Sequence, residues 1–148
     1  RSKGVPYQNA YRTPLIVWGP GVRAGQSGEL VNSVDIFPTL LELAGIPRGE
    51  GLPGVSVAPA ILEGRTGLQK DVLLGLATWR GIYDGRYFYA ADNRTGQILP
   101  ARLTDTQADP YDLENLAGRE AYAPLQERMH ARLLERLREA GDRKFLAE

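Results

Sequence analysis

Apolar and polar positions follow several distinct rhythms along the chain. Leu15-Ile16-Val17-Trp18 is a continuous apolar run halted by Gly19-Pro20-Gly21. Its length and its breakers predict a strand buried on both faces, as in a parallel sheet. Pro14 suits the first position of such a strand, where no ladder donor is lost. Residues 23–29 are polar and Gly-rich and read as a surface loop. From Val34 to Ala44 the period changes. Ile36, Leu40 and Leu43 recur at helical spacing, with Phe37, Leu41 and Ala44 widening the stripe. Ser33 or Asp35 suits the helix start, and Pro38 is tolerable only within the first turn. Gly45 and Pro47 supply the stop. The Gly- and Pro-rich stretch 48–67, with a helical turn or two at Ala58–Leu62, reads as a connection between layers.

The second half has shorter periods. Val72-Leu73-Leu74 is a candidate strand, and another lies near Ile98–Thr104. Gly81-Ile82-Tyr83 and Arg86-Tyr87-Phe88-Tyr89 flank Asp84-Gly85, a dipeptide favoured in two-residue hairpin turns. From about Pro124 to Ala140 the pattern is helical again. Leu125, Met129, Leu133 and Leu137 fall four apart, with Pro124 in the first turn and Gly141 at the stop. This helix is expected to cover one face of the hairpin sheet. The fold class is therefore α/β: the end of an α/β sheet layer over residues 1–65, then a small antiparallel sheet covered by a C-terminal helix over residues 66–148.

Composition narrows the function classes. The chain has 148 residues, is 43% apolar and 24% charged, and carries a formal net charge of zero. No global field draws it to nucleic acid or to an anionic membrane. No apolar run reaches the roughly 18–20 residues that span a bilayer. The absence of cysteine excludes a disulfide frame, a thiolate zinc site and a cysteine nucleophile within the chain, and leaves the compartment open. The only Met is Met129, and Arg1-Ser2-Lys3-Gly4-Val5-Pro6 reads as the middle of a loop, so further polypeptide is expected ahead of Arg1.

The residues offer little autonomous chemistry. His130 is the single histidine, so no multi-histidine metal site forms, and on a charged helix face it is expected to be a solvated side chain. None of the four serines sits in a G-x-S-x-G turn, and no phosphate-cradling G-x-x-x-x-G-K-[ST] run occurs. Asp105, Asp109, Asp112 and Glu114 lack the spacing of a calcium loop and suit turn and cap roles. Trp79, Tyr83, Tyr87 and Tyr89 invite comparison with a base-stacking platform, but on a hairpin they suit sheet packing.

Four segments, in order, resemble the sulfatases of the alkaline phosphatase superfamily. Lys3 to Val17 with Gly19-Pro20-Gly21 is similar to a K-x-x-x-Y-E-x-x-x-R-x-P stretch followed by a strand and a P-G turn. Leu30 to Gly45 is similar to a V-x-x-x-D-x-x-P-T-x-L-x-x-A-G helix. Leu52 to Val57 is similar to a D-G-x-S-L element, with Pro53 in place of the Asp. Leu103 to Ala117 is similar to an L-Y-D-L-x-x-D-P-x-E-x-x-N-L tail, which leans toward the glucosamine-6-sulfatase-like branch.

The resemblance implies hydrolysis of a sulfate ester by a formylglycine hydrate beside a calcium ion. It assigns Lys3 as the catalytic ammonium on a sulfate oxygen, a task its compact charge and three donors suit. It places Tyr7 and Gln8 at the substrate pocket, with Gln8 where the family usually has Glu, and Arg12 as a structural residue bound to carbonyls or a carboxylate. No C/S-x-P-x-R motif is present, so the nucleophile and the calcium ligands are expected in an upstream catalytic half, and this chain alone is expected to be inactive. The implied substrate is a sulfated small molecule or glycan, with neither nucleic acid nor membrane as partner. Exposed edges would favour self-association of the isolated chain. Two alternatives stand beside this one: a related phosphoester or phosphonate hydrolase, and a noncatalytic binding or assembly module.

Overall fold

A computed structural model describes residues 4–146. The chain folds as two compact units: Pro14–Val72, and Arg1–Thr13 together with Leu73–Glu148. This division differs from the expected boundary near residue 65. The sheet begins only at residue 72, and the front segment joins the second unit through side chains that the linear pattern does not mark. The α helices in chain order are α1 (Gln8–Tyr11), α2 (Ile36–Leu43), α3 (Ala58–Glu63), α4 (Ala123–Glu139) and α5 (Arg143–Leu146). The strands are β1 (Val72–Leu76), β2 (Trp79–Tyr83), β3 (Tyr87–Asp92) and β4 (Leu99–Asp105).

In the unit Pro14–Val72, a 3₁₀ turn at Ser33–Asp35 leads into α2. The cap is Asn32 rather than Ser33 or Asp35. Its Oδ1 accepts the Ser33 N–H at 2.6 Å, while Asp35 reaches back to accept the Asn32 N–H at 2.7 Å. This reciprocal pair satisfies donors that a helix start leaves open. Asp35, fully buried, has further donors: the Val55 N–H at 2.7 Å and the Gln69 amide at 2.8 Å. Thr39 extends the network, donating to the Asp35 carbonyl at 2.6 Å and accepting the Val57 N–H at 2.9 Å. The start of α2 thus ties down the connecting loop. Gly54 is obligatory there, because its φ is +89° and a Cβ would run into the Val34 carbonyl.

Residues 15–18 do not form a strand among the described residues, and Ile16 and Trp18 are 88% and 95% exposed. A strand exists only through neighbours that pair its N–H and C=O groups, and here none is supplied. The apolar stripe on α2 is likewise open at Ile36, Phe37 and Leu40, while Pro38 and Thr39 are buried. Ile36, Leu40 and Leu43 line an apolar groove of about 290 Å³ together with Leu15, Val31 and Ile61.

The other unit matches the expected antiparallel sheet and covering helix. Its strand order is β1-β2-β3-β4, with β2/β3 and β3/β4 antiparallel. The β2–β3 turn is centred one residue later than Asp84-Gly85. Gly85, at φ +95°, and Arg86 occupy the centre, while the Asp84 carboxylate accepts the Arg86 and Tyr87 N–H groups at 2.9 and 2.6 Å. Pleating divides the strands between two faces. Ile82, Tyr89, Ala91 and Leu103 face Met129, Leu133 and Leu137 of α4 and Phe145 of α5. Trp79, Phe88 and Ala90 point to the other face, where Tyr11 of α1 stacks on Phe88 at 4.7 Å between centroids. The aromatic residues of the hairpin therefore pack the sheet, as expected.

His130 is a correction. Its Nδ1 lies 2.8 Å from the hydroxyl of fully buried Tyr89, so it is an inward partner and not a solvated side chain. Burial holds the imidazole below its ordinary pKa and pushes the Tyr89 phenol up.

Candidate functional site

The site is built around the front segment, residues 4–12, and the sheet face beneath it. α1 is a single turn of four residues, too short to be stable by itself. It is held instead by contacts with the sheet and by a backbone anchor. The Trp79 indole N–H donates to the Gly4 carbonyl at 3.0 Å, and Tyr11 stacks on Phe88. The anchor is Asp112, whose Oδ2 accepts the Gln8 N–H at 3.0 Å, 104 residues away in sequence.

Asp112 is itself held in place. Its Oδ1 accepts from the Arg102 Nε at 2.8 Å and from the Thr104 hydroxyl at 2.7 Å, and its carbonyl accepts a second Arg102 N–H at 2.6 Å. Arg102 and Asp112 are each only 5% exposed. A buried charge is tolerated when it is paired and its remaining hydrogen-bonding capacity is met, and both conditions hold here. Asp112 also sits at φ +58°, a left-handed conformation that Asp adopts at modest cost. Register explains the convergence. On β4, Arg102 lies opposite Ala90 and Thr104 opposite Phe88, on the sheet face that carries the front segment.

The two pocket residues expected from the sequence meet this network. Tyr7 is partly exposed, and its ring lies 4.1 Å from the Arg102 guanidinium carbon, a cation–π contact. Gln8 is 6% exposed, and its amide nitrogen makes no hydrogen bond among the described residues. The Tyr11 hydroxyl is likewise buried and without a partner among the described residues, and burial, reinforced by Asp112, pushes this phenol up. Arg12 is exposed, and among the described residues its guanidinium makes neither a hydrogen bond nor an ion pair, so the expected carbonyl or carboxylate partner is not found. Lys3 lies outside the described residues.

The acidic cluster keeps its turn roles in part. Asp105 accepts the Gln107 and Ala108 N–H groups and pairs with Arg86, which holds its carboxyl below the usual carboxylate range. Asp109 accepts the Glu114 N–H at 2.7 Å. Asp112 departs from that reading, because it serves a distant segment. Arg102 and Thr104 carried no signal in the sequence, and Trp79 read only as packing. The one available hint was a basic residue, Arg102, between the apolar Ala101 and Leu103. No cluster of three or more His, Cys, Asp or Glu able to hold a metal occurs among the described residues.

Comparison with known proteins places the whole arrangement. Residues 2–139 match the family described as N-sulphoglucosamine sulphohydrolase, C-terminal. The chain belongs to that family. It is 33% identical over 124 residues to arylsulfatase K of Gallus gallus, covering 75% of this chain and 23% of that protein. It is 31% identical over 152 residues to an ulvan-active sulfatase of Formosa agariphila, covering 95% of this chain and 29% of the relative. In structure it is similar to a putative sulfatase from Bacteroides thetaiotaomicron, with a TM-score of 0.72 and 26% identity over 85% of this chain and 29% of that one. The chain thus spans about a quarter of the length of the curated relatives it matches. It is a C-terminal sulfatase portion, and the resemblance seen in its motifs holds.

Proposed function

We propose that this chain forms the C-terminal part of an enzyme that hydrolyses a sulfate ester of a sulfated sugar, with the nucleophile and the calcium ligands supplied by polypeptide ahead of Arg1. The observation that carries the reading is the front segment. It bears the lysine motif of the sulfatases, and a buried ion pair fixes it to the sheet. The family's description, N-sulphoglucosamine sulphohydrolase, favours a sulfated amino sugar as the substrate class.

In this reading Lys3 brings an ammonium to a sulfuryl oxygen, where charge grows as the ester oxygen leaves. A fixed cation at such a point stabilises the transition state more than the ground state. Tyr7 offers a partly exposed ring at the edge of the pocket, and Gln8 offers its uncommitted amide. The calcium of the family does not fit this chain. The Asp35 and Asp112 carboxylates are filled by protein donors, and no ligand cluster occurs among the described residues. A formylglycine, formed from Cys or Ser in a C/S-x-P-x-R motif, also belongs upstream, because this sequence holds no such motif. The open apolar groove beside residues 15–18 supports the same view, as an apolar run and helix face left for further polypeptide to cover.

The test compares two proteins. The 148-residue chain alone is expected to release no sulfate from 4-nitrophenyl sulfate or from a sulfated glucosamine. The complete polypeptide carrying this sequence is expected to do so, with Lys3→Ala lowering kcat/KM by about 10²–10³-fold. Turnover by the isolated chain would overturn the reading.

A further inference from the structure

The buried ion pair has no obvious structural need. Arg102 on β4 and Asp112 in the turn after it pair beside a sheet face that carries Phe88, Trp79 and Tyr11, and a pair of apolar residues commonly stabilises such a place as well or better. What an apolar pair cannot do is accept a hydrogen bond from the front segment. One carboxylate oxygen of Asp112 takes Arg102 and Thr104, and the other takes the Gln8 N–H. The guanidinium that orients the carboxylate also lies against the Tyr7 ring. The left-handed backbone at Asp112 is the cost of presenting the carboxylate in this way.

We propose that Asp112 is a positioning residue: oriented by Arg102 and Thr104, it grips the Gln8 backbone and so sets where the segment bearing Tyr7 and Gln8 stands for the reaction. This rests on the sulfatase reading. Asp112 touches no reacting atom; it acts through the segment. Misplacement of a positioned group by about 1 Å can cost on the order of 10²-fold in rate, so a single anchor is sufficient to matter.

Gln8 allows a clean test, because it is the first residue of α1 and Tyr7 before it is extended at φ −116°, ψ 146°. Proline is compatible with both positions, so Gln8→Pro deletes the N–H with little other backbone cost. Gln8→Ala removes the same side chain and keeps the N–H. Asp112→Asn keeps the shape and the tolerated conformation but turns one acceptor into a donor. The variants are made in the complete polypeptide, and kcat is expressed per folded molecule. Against Gln8→Ala, Gln8→Pro is expected to lose about 10²-fold in kcat with little change in KM. It is also expected to speed amide hydrogen exchange across residues 4–12 while leaving α4 unchanged. Asp112→Asn should do the same. Equal kcat in Gln8→Pro and Gln8→Ala, or unchanged exchange across residues 4–12, would overturn the proposal. If the parent polypeptide releases no sulfate, the sulfatase reading fails with it. The exchange comparison then still decides whether Asp112 holds the segment.

Discussion

At the scale of single residues, the informative positions are buried polar groups whose partners lie far away in sequence. Asp35 joins a helix start to a loop, Asp112 joins a turn to the front segment, and His130 joins α4 to β3. His130 has a testable consequence. Burial depresses its folded pKa, so between the folded and unfolded values the unfolded chain binds more protons. Its contribution to stability is therefore whole above the unfolded value of about 6.5 and is lost as pH falls from there through the folded value. Urea unfolding of the wild type and of His130→Gln, followed from about pH 8 to about pH 5, should show a steeper loss in the wild type. Parallel curves would show that the ring titrates freely.

At the scale of elements, α4 was legible because its stripe buries against the sheet of its own chain. Leu133 is fully buried among Ile82, Tyr89 and Leu103. Leu133→Ala is expected to destabilise by about 2–5 kcal/mol, as lost transfer energy plus a cavity. The exposed Glu127→Ala on the same helix should stay within about 0.5 kcal/mol. Denaturant midpoints at constant slope check both, and equal effects would remove Leu133 from the core. The run 15–18 has as strong an apolar pattern and forms no strand. A helix satisfies its backbone within itself, whereas a strand needs partners that the run cannot specify. The hairpin turn slipped by one residue for a related reason. The Asp84 carboxylate captures two N–H groups, which moves Gly85 to the first central position.

At the scale of the molecule, the two units differ in completeness. The unit Arg1–Thr13 with Leu73–Glu148 covers its sheet on both faces. The unit Pro14–Val72 leaves Ile16, Trp18, Phe37 and Leu40 open. Patches of this kind drive association when nothing covers them. The isolated chain is expected to show a concentration-dependent mass in sedimentation velocity. Trp18→Ser combined with Leu40→Glu should suppress it, and the complete polypeptide should lack it. A monodisperse monomer across a wide concentration range would argue instead for a self-sufficient module.

Periodicity and turn chemistry by themselves determined α2, α3, α4, the antiparallel sheet and the α/β class, because these elements follow from local spacing. The motifs carried the sulfatase resemblance and pointed to Lys3, Tyr7 and Gln8. Only the tertiary structure decided that Arg102, Thr104 and Asp112 converge beneath that segment, and that it belongs with the sheet some 70 residues downstream and not with the apolar run beside it. A hydrogen bond spanning 104 residues leaves no periodic trace in a sequence. It arises when strand register brings a charged side chain to the face where a short turn needs an acceptor.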